Sequence, residues 1–166
     1  MSEGMDMTDG ALPRGIRNHN PGNLRPGAAW AGIEGTDSEG SAPGYVIFTD
    51  PIMGLRAIGK CMVAYQDLHG IHTLGGAFLR WAPSADGNDP CGYAHFVANR
   101  LGVGPSDTVD LHDRRTLEAI VRAIVRMENG PPPAGVPADW YDDDTYGHAM
   151  ALAVPTIAAA ATNGVS

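Results

Sequence analysis

Apolar residues recur at helical spacing in several stretches of this chain. The clearest is Leu117–Met127, where Leu117, Ile120, Val121, Ile124 and Val125 fall on one face. Asn129-Gly130 and then Pro131 form a stop signal, and Asp113 or Thr116 opens the helix. Upstream, Asp50-Pro51 reads as an N-cap with Pro in the first turn. Leu55, Ile58, Met62 and Tyr65 mark the inner face of the helix that follows, which stops near Gly70. Thr73 caps a second helix with Leu74, Ala77, Phe78 and Trp81 inward. Asp89-Pro90 starts a third, with Tyr93, Phe96, Val97 and Leu101 as its stripe. A Pro-rich loop, Pro131–Pro137, leads through Trp140-Tyr141 to a last helix of roughly ten residues before Pro155. Ile157–Ala161 fits either a short helix or a tail.

The first third of the chain has a different texture. Residues 1–13 read as a flexible leader. Arg14–Gly44 is rich in Gly, Asn and Pro, which favours turns over helix. Trp30–Gly32 and Tyr45–Phe48 read as two short strands of a small hairpin. The pattern predicts a mainly α (α+β) domain spanning 14–166, with a small β element near its start and no internal repeat.

One position on the strongest helix carries candidate chemistry. Glu128 lies eleven residues after Leu117. At roughly 100° per residue it returns to within about 20° of the apolar stripe. A carboxylate at the C-terminal end of a helix, turned inward, is expected to hold its proton more tightly. That is what a glycoside-cleaving enzyme requires of its general acid. Taken alone, the helix is better explained by a last-turn Glu that swings out to solvent, and the rest of the chain changes that balance.

Composition narrows the classes. With 166 residues, 43% of them hydrophobic, the chain can build one core. Its net charge of −8 argues against nucleic acid as a partner. No secretory signal and no run long enough to span a membrane are visible. Synthesis in the cytoplasm is expected, with action on the wall after release or as part of a virion. Cys61 and Cys91 make neither a zinc pattern nor a disulfide framework and read as reduced, packed thiols. Asp142-Asp143-Asp144 lacks the spacing of a calcium loop and reads as a solvated acidic helix start. The six His residues form no metal motif. No metal and no organic cofactor is expected.

The polar segment Arg14–Arg25 offers Arg14, Asn18, Asn20 and Asn23 as hydrogen-bonding groups for sugar hydroxyls and acetamido groups. The same asparagines serve to shape turns beside Pro21 and Gly22. Trp81 fits a stacking platform or a core residue. Asp89 is better explained as a cap than as a base. Tyr93 and Tyr141 present a polar tip on an apolar ring.

Several ordered motifs together resemble a known family. They are Arg14-Gly-Ile-Arg-Asn-His-Asn-Pro-Gly-Asn-Leu-Arg25, Trp30-Ala31-Gly32, Phe48-Thr49-Asp50 with Gly54-Leu55-Arg56-Ala57, Trp81-Ala82-Pro83, Asn88-Asp89 and Glu128-Asn129-Gly130. Across residues 14–130 they resemble a phage-associated family whose members are described as virion structural proteins or as peptidoglycan-degrading, lysozyme-like enzymes. A remoter resemblance is to flagellar-type glucosaminidases and lytic transglycosylases. In those, the catalytic Glu helix precedes an Asn-rich turn, a Trp-x-Gly hairpin and further helices. Here the turn, hairpin and helices keep that order, but the Glu helix follows them. Upstream of the Asn-rich turn the acids are Glu3, Asp6 and Asp9, all within the leader and none at the end of a helix. The resemblance therefore implies a circularly permuted lysozyme-like core, with Asn129 where Ser is usual.

The resemblance implies cleavage of the peptidoglycan glycan strand, of muramidase, glucosaminidase or lytic transglycosylase type, with Glu128 as general acid. Arg14, Asn18, Asn20, Asn23, Trp81, Tyr93 and Tyr141 are the expected substrate-binding residues. Glu34, Asp37 and Asp142 are candidates for a second carboxylate. The expected partners are the cell-wall glycan and other virion or phage-derived proteins. The reading from a different class is a non-catalytic virion structural or wall-binding module of lysozyme-like shape.

Overall fold

A computed structural model describes residues 12–40, 44–83 and 87–155. The leader up to residue 11 and the Ile157–Ala161 stretch lie outside the described residues. Among the described residues the chain is mainly helical with one small sheet. The elements are α1 (Arg14–Arg17), β1 (Ile33–Thr36), β2 (Val46–Phe48), α2 (Pro51–His69), α3 (Leu74–Trp81), α4 (Pro90–Leu101), α5 (Arg114–Asn129) and α6 (Asp143–Ala153). No described helix is long and apolar enough to cross a membrane.

Local capping explains most helix starts. Asp50 Oδ1 accepts from the Met53 amide at 3.2 Å, and Thr73 Oγ1 from Gly76 at 3.0 Å. Asp89 Oδ1 accepts from Gly92 at 2.9 Å, and Asp113 Oδ2 from Thr116 at 3.0 Å. Each cap satisfies an amide that the first helical turn leaves without a partner. Gly102, at φ 74°, ends α4 in the left-handed conformation that disfavours a Cβ.

The chain divides into two compact units. One takes in the chain up to Ala57 together with Ile124–Ala149. Its sheet is antiparallel, pairing Ile33 with Phe48, Gly35 with Ile47 and Thr36 with Val46, with a bulge between Ile33 and Gly35. Val46, Phe48 and Ala57 are buried, and Leu24, Trp30 and Met53 pack against them. The other unit holds Ile58–Ala123 and the chain from Met150. There Ile58, Met62, Leu74, Phe78, Val97, Leu111, Leu117, Ile120 and Met150 are almost wholly buried. Gly59 lets Ala153 and Leu117 approach: a Cβ at Gly59 would meet their side chains at 3.0 and 3.4 Å.

Four expectations need correction. Arg14–Arg17 is a helical turn, closed by Arg17 N–H donating to the Pro13 carbonyl at 3.0 Å. The first strand is Ile33–Thr36, because Ala31-Gly32 form a turn with Gly32 at φ 81°. Phe96 is 51% exposed, since Ala94, Val97 and Ala98 take the inner face of α4. Cys91 is exposed near the start of α4, whereas Cys61 is half-buried and its thiol is pushed up to about 11 by burial.

Candidate functional site

Glu128 stands one residue from the end of α5. The stripe behind it behaves as its spacing predicts: Leu117, Ile120, Val121, Ile124 and Val125 are fully buried, and Glu128 itself is half-buried. The segment after α1 reaches this helix end. Asn23 donates from Nδ2 to Glu128 Oε1 at 3.1 Å, across 105 residues of sequence. Asn129 Nδ2 donates to the Pro21 carbonyl at 2.8 Å, across 108 residues, and to Val125 at 2.9 Å. Two bonds at adjacent residues fix both the position and the rotation of the helix end against the turn.

The turn has an unusual backbone. His19 and Asn23 sit at φ 51° and 50°, a region that Asn tolerates better than most residues. Asn20 holds the bend together. Its Oδ1 accepts from Leu24 at 3.0 Å, while its Nδ2 donates to the Leu24 carbonyl at 3.0 Å and to the Val46 carbonyl at 2.8 Å. Gly15 lies beneath. A Cβ there would stand 2.6 Å from Asn129 Oδ1, 2.8 Å from the Asn20 carbonyl and 3.0 Å from Asn23 Oδ1. Only a residue without a side chain lets α1, the turn and the end of α5 close on one another.

Arg14 and Asn18 are engaged by the protein itself. Asp37 receives Arg14 Nε and NH2, both at 2.7 Å, Asn18 Nδ2 at 2.7 Å and the Tyr45 amide at 3.0 Å. Arg14 also donates to the Glu39 carbonyl at 2.7 Å, and Arg17 pairs with the Glu39 carboxylate. The guanidinium carbons of Arg14 and Arg25 stand 4.1 and 4.9 Å from the centre of the Tyr45 ring. This knot ties α1 to the hairpin. The Arg14 guanidinium, with help from Asn18 and the Tyr45 amide, holds the Asp37 carboxyl well below the usual carboxylate range.

A group whose folded pKa is depressed contributes stability above its unfolded pKa, about 3.9 for Asp. That contribution is lost as pH falls through the folded value. Urea midpoints should therefore drop as the protein is acidified below about pH 4, and Asp37→Asn should flatten that slope. Asp110 and Asp142 are shifted the same way, so the slope should shrink rather than vanish. An unchanged slope in Asp37→Asn would show that the knot does not hold the fold.

Past the helix end the chain folds back. Trp140, buried and at φ 77°, donates from Nε1 to the Gly130 carbonyl at 2.8 Å, capping an α5 terminus. Arg126 donates to the Ala138 carbonyl at 3.1 Å and stands 3.7 Å from Asp139. Tyr146 donates to the Asp139 carbonyl at 2.5 Å. Tyr141 packs edge-on against Tyr146 at 6.0 Å, with its hydroxyl buried and its acidity weakened by that burial. Sequence reasoning gave Asp37, Gly15 and Trp140 none of these structural roles, because each acts through long-range contacts that leave no local signature.

The remaining expected residues are placed as follows. Tyr93 stacks on Phe78 at 6.1 Å in the second unit, and Trp81 is half-buried there. Of the three candidate second carboxylates, Asp37 is held in the knot. Asp142 caps α6 through the Thr145 amide and hydroxyl at 2.8 and 2.7 Å. Glu34 is exposed on β1. Among the described residues no group of three or more His, Cys, Asp or Glu is placed to hold a metal ion. A cavity of about 370 Å³ lined by Leu12, Ile16, Arg17 and His19 flanks the turn, and Glu128 does not line it.

No protein-family model matches the chain. A phage protein does: Protein P5 of Pseudoalteromonas phage PM2 is 35% identical over 124 residues, covering 72% of this chain and 73% of that protein.

Proposed function

The chain belongs to the family of Protein P5 of Pseudoalteromonas phage PM2, and we propose that it cleaves the β-1,4 glycan strand of peptidoglycan with Glu128 as the acid. The observation that carries this reading is the bond from Asn23 to Glu128 Oε1. It holds a half-buried carboxylate at a helix end and orients it with the side-chain amide of Asn23. In the first step Glu128 gives its proton to the glycosidic oxygen as the bond to C1 breaks.

We favour completion without a second carboxylate. Asp37 and Asp142 are both committed to the fold, which supports this choice. Glu128, now ionised, then takes the proton of the muramic acid 6-hydroxyl while its oxygen bonds to C1. The product is a 1,6-anhydro ring, and no water is consumed. Digestion of purified peptidoglycan in ¹⁸O-water followed by mass spectrometry tests this. Products lighter by one water and free of label are expected. Label at the new reducing end would instead point to hydrolysis, with Glu34 as the carboxylate to substitute first.

Asn23→Ala should slow glycan release by up to about tenfold, because the lost hydrogen bond positions the Glu128 carboxyl and a typical bond is worth about 0.5–1.5 kcal/mol. Asn23→Gly, which relieves the left-handed backbone at that position, should be equally slow. A Gly variant with parental activity would assign Asn23 to backbone shape alone.

We further propose that the helical core is a circularly permuted lysozyme-like one. Its support is the pairing of the 14–25 segment with the end of α5 despite their separation in sequence. Superposing a lysozyme-superfamily core on the chain, with α5 counted ahead of α1, tests it. Helices that match only in the unpermuted order would refute it.

The relative is a phage protein, which is compatible with a second reading as a non-catalytic virion or wall-binding module. Wall fragments that co-sediment with the protein yet are never solubilised would support that reading.

A further inference from the structure

The chain has 11 Lys and Arg against 19 Asp and Glu, yet its cations are not evenly spread. Arg100, Arg115 and Arg122 line one concavity of about 300 Å³, with Glu118, Leu101 and Ala119. All six residues belong to the Ile58–Ala123 unit. Arg115, Glu118, Ala119 and Arg122 fall at i, i+3, i+4 and i+7 of α5 and share a face. Arg100 and Leu101 come from the last turn of α4.

Each arginine is disposed differently. Arg122 is bound by Glu118 Oε2, from Nε at 3.0 Å and NH2 at 2.9 Å, with its side chain only 12% exposed. Arg100 lies 5.5 Å from the centre of the Phe96 ring, which accounts for an aromatic left 51% exposed on α4. Arg115 is the anomaly. It lies in the first turn of α5, which contains no acid. The helix dipole there opposes a cation. Its neighbour Arg114 has a structural role, donating to the Val154 carbonyl at 2.7 Å. Arg115 is exposed and, among the described residues, makes no hydrogen bond or ion pair. The Asp113 carboxylate that caps this helix end lies two residues earlier, which leaves Arg115 as an exposed cation lining the concavity.

We propose that this concavity binds the phosphate group of an organic phosphate ester. Three guanidiniums and one carboxylate leave a surplus of positive charge, which suits a phosphate better than a single carboxylate. The planar forks favour bidentate bonding to its oxygens. The volume is at the lower end of small-ligand sites. Leu101 and Ala119 supply apolar surface for the body that carries the phosphate. The phosphate can come from a free small ester or from a phosphodiester chain of the cell wall. The site is independent of the glycan-cleaving reading.

Titration with glycerol 3-phosphate, and in parallel with short glycerol-phosphate oligomers, followed by arginine Nε–Hε NMR at constant ionic strength, tests the proposal. Saturable shifts of the Arg100 and Arg115 signals are expected. The double variant Arg100→Gln/Arg115→Gln should weaken binding by about tenfold or more, while Arg25→Gln, which removes a cation elsewhere, should leave it unchanged. Saturation by the monomer identifies a small ester as the source; saturation by the oligomer alone identifies the polymer. A response matched by sodium chloride, or one retained by the double variant, would overturn the proposal.

Discussion

Glu128→Gln is expected to reduce peptidoglycan solubilisation by about 10²–10⁴-fold, the usual worth of a general acid–base group. The substitution is nearly isosteric, and the Gln carbonyl oxygen can still accept the bond from Asn23 Nδ2. What it removes is the acidic proton. The buried stripe of Leu117, Ile120, Val121, Ile124 and Val125 is untouched, so the far-UV spectrum and Tm should stay near the parent values. Turbidity clearance of purified wall and product mass spectrometry measure the loss, with thermal unfolding as the control. A variant that clears wall at near the parental rate would remove Glu128 from the mechanism. A parent that clears none, while folded and wall-bound, would favour the non-catalytic reading.

The parts of this site that sequence exposes are those set by short-range rules. The caps at Asp50, Thr73, Asp89 and Asp113 are legible because a cap bonds an amide two or three residues ahead. The inward stripe of α5 is legible because helical periodicity repeats along it. The misplaced first strand shows where this fails. Gly32 is a turn because its missing Cβ would stand 2.4 Å from Met53 Cγ, on a helix start some twenty residues away. The spacing of Tyr93, Phe96, Val97 and Leu101 puts Phe96 inside, but Ala94, Val97 and Ala98 take the inner face.

The polar composition of Arg14–Arg25 suggests groups presented to a ligand, alongside asparagines that shape turns. Polar composition cannot distinguish that from groups spent on the fold. Arg14 and Asn18 meet Asp37, 23 and 19 residues away, and Asn20 meets Val46, 26 residues away. Asn23 is the member of the set whose amide is aimed at Glu128. Nothing local distinguishes it from Asn20, since the two differ in what lies opposite them in space.

A helical glycine should prove essential where propensity says it is a defect. Gly54 lies in the first turn of α2, and replacing a helical Gly with Ala ordinarily stabilises by up to about 1 kcal/mol. At this position a Cβ would stand 2.1 Å from the His19 carbonyl oxygen, 3.1 Å from its carbon and 2.9 Å from Pro21 Cδ. The obstacle is backbone, and it cannot retreat freely. Asn18 on one side accepts from the Phe48 amide at 3.0 Å, and Asn20 on the other is bonded to Val46. Overpacking costs about 1–3 kcal/mol, more where nothing yields, and so outweighs the propensity gain. Gly54→Ala should destabilise by about 2 kcal/mol and lower Tm by about 4–8 °C. It should also slow wall digestion, since the displaced turn carries Asn23 away from Glu128. Gly147→Ala is the matched control. Gly147 is exposed in α6 with nothing within 4 Å of the added carbon, so the same substitution should raise stability by up to about 1 kcal/mol. Urea unfolding of the two variants beside the parent tests opposite signs of one chemical change. If Gly54→Ala proves as stable as Gly147→Ala, the turn does not pack against α2 as closely as its geometry requires.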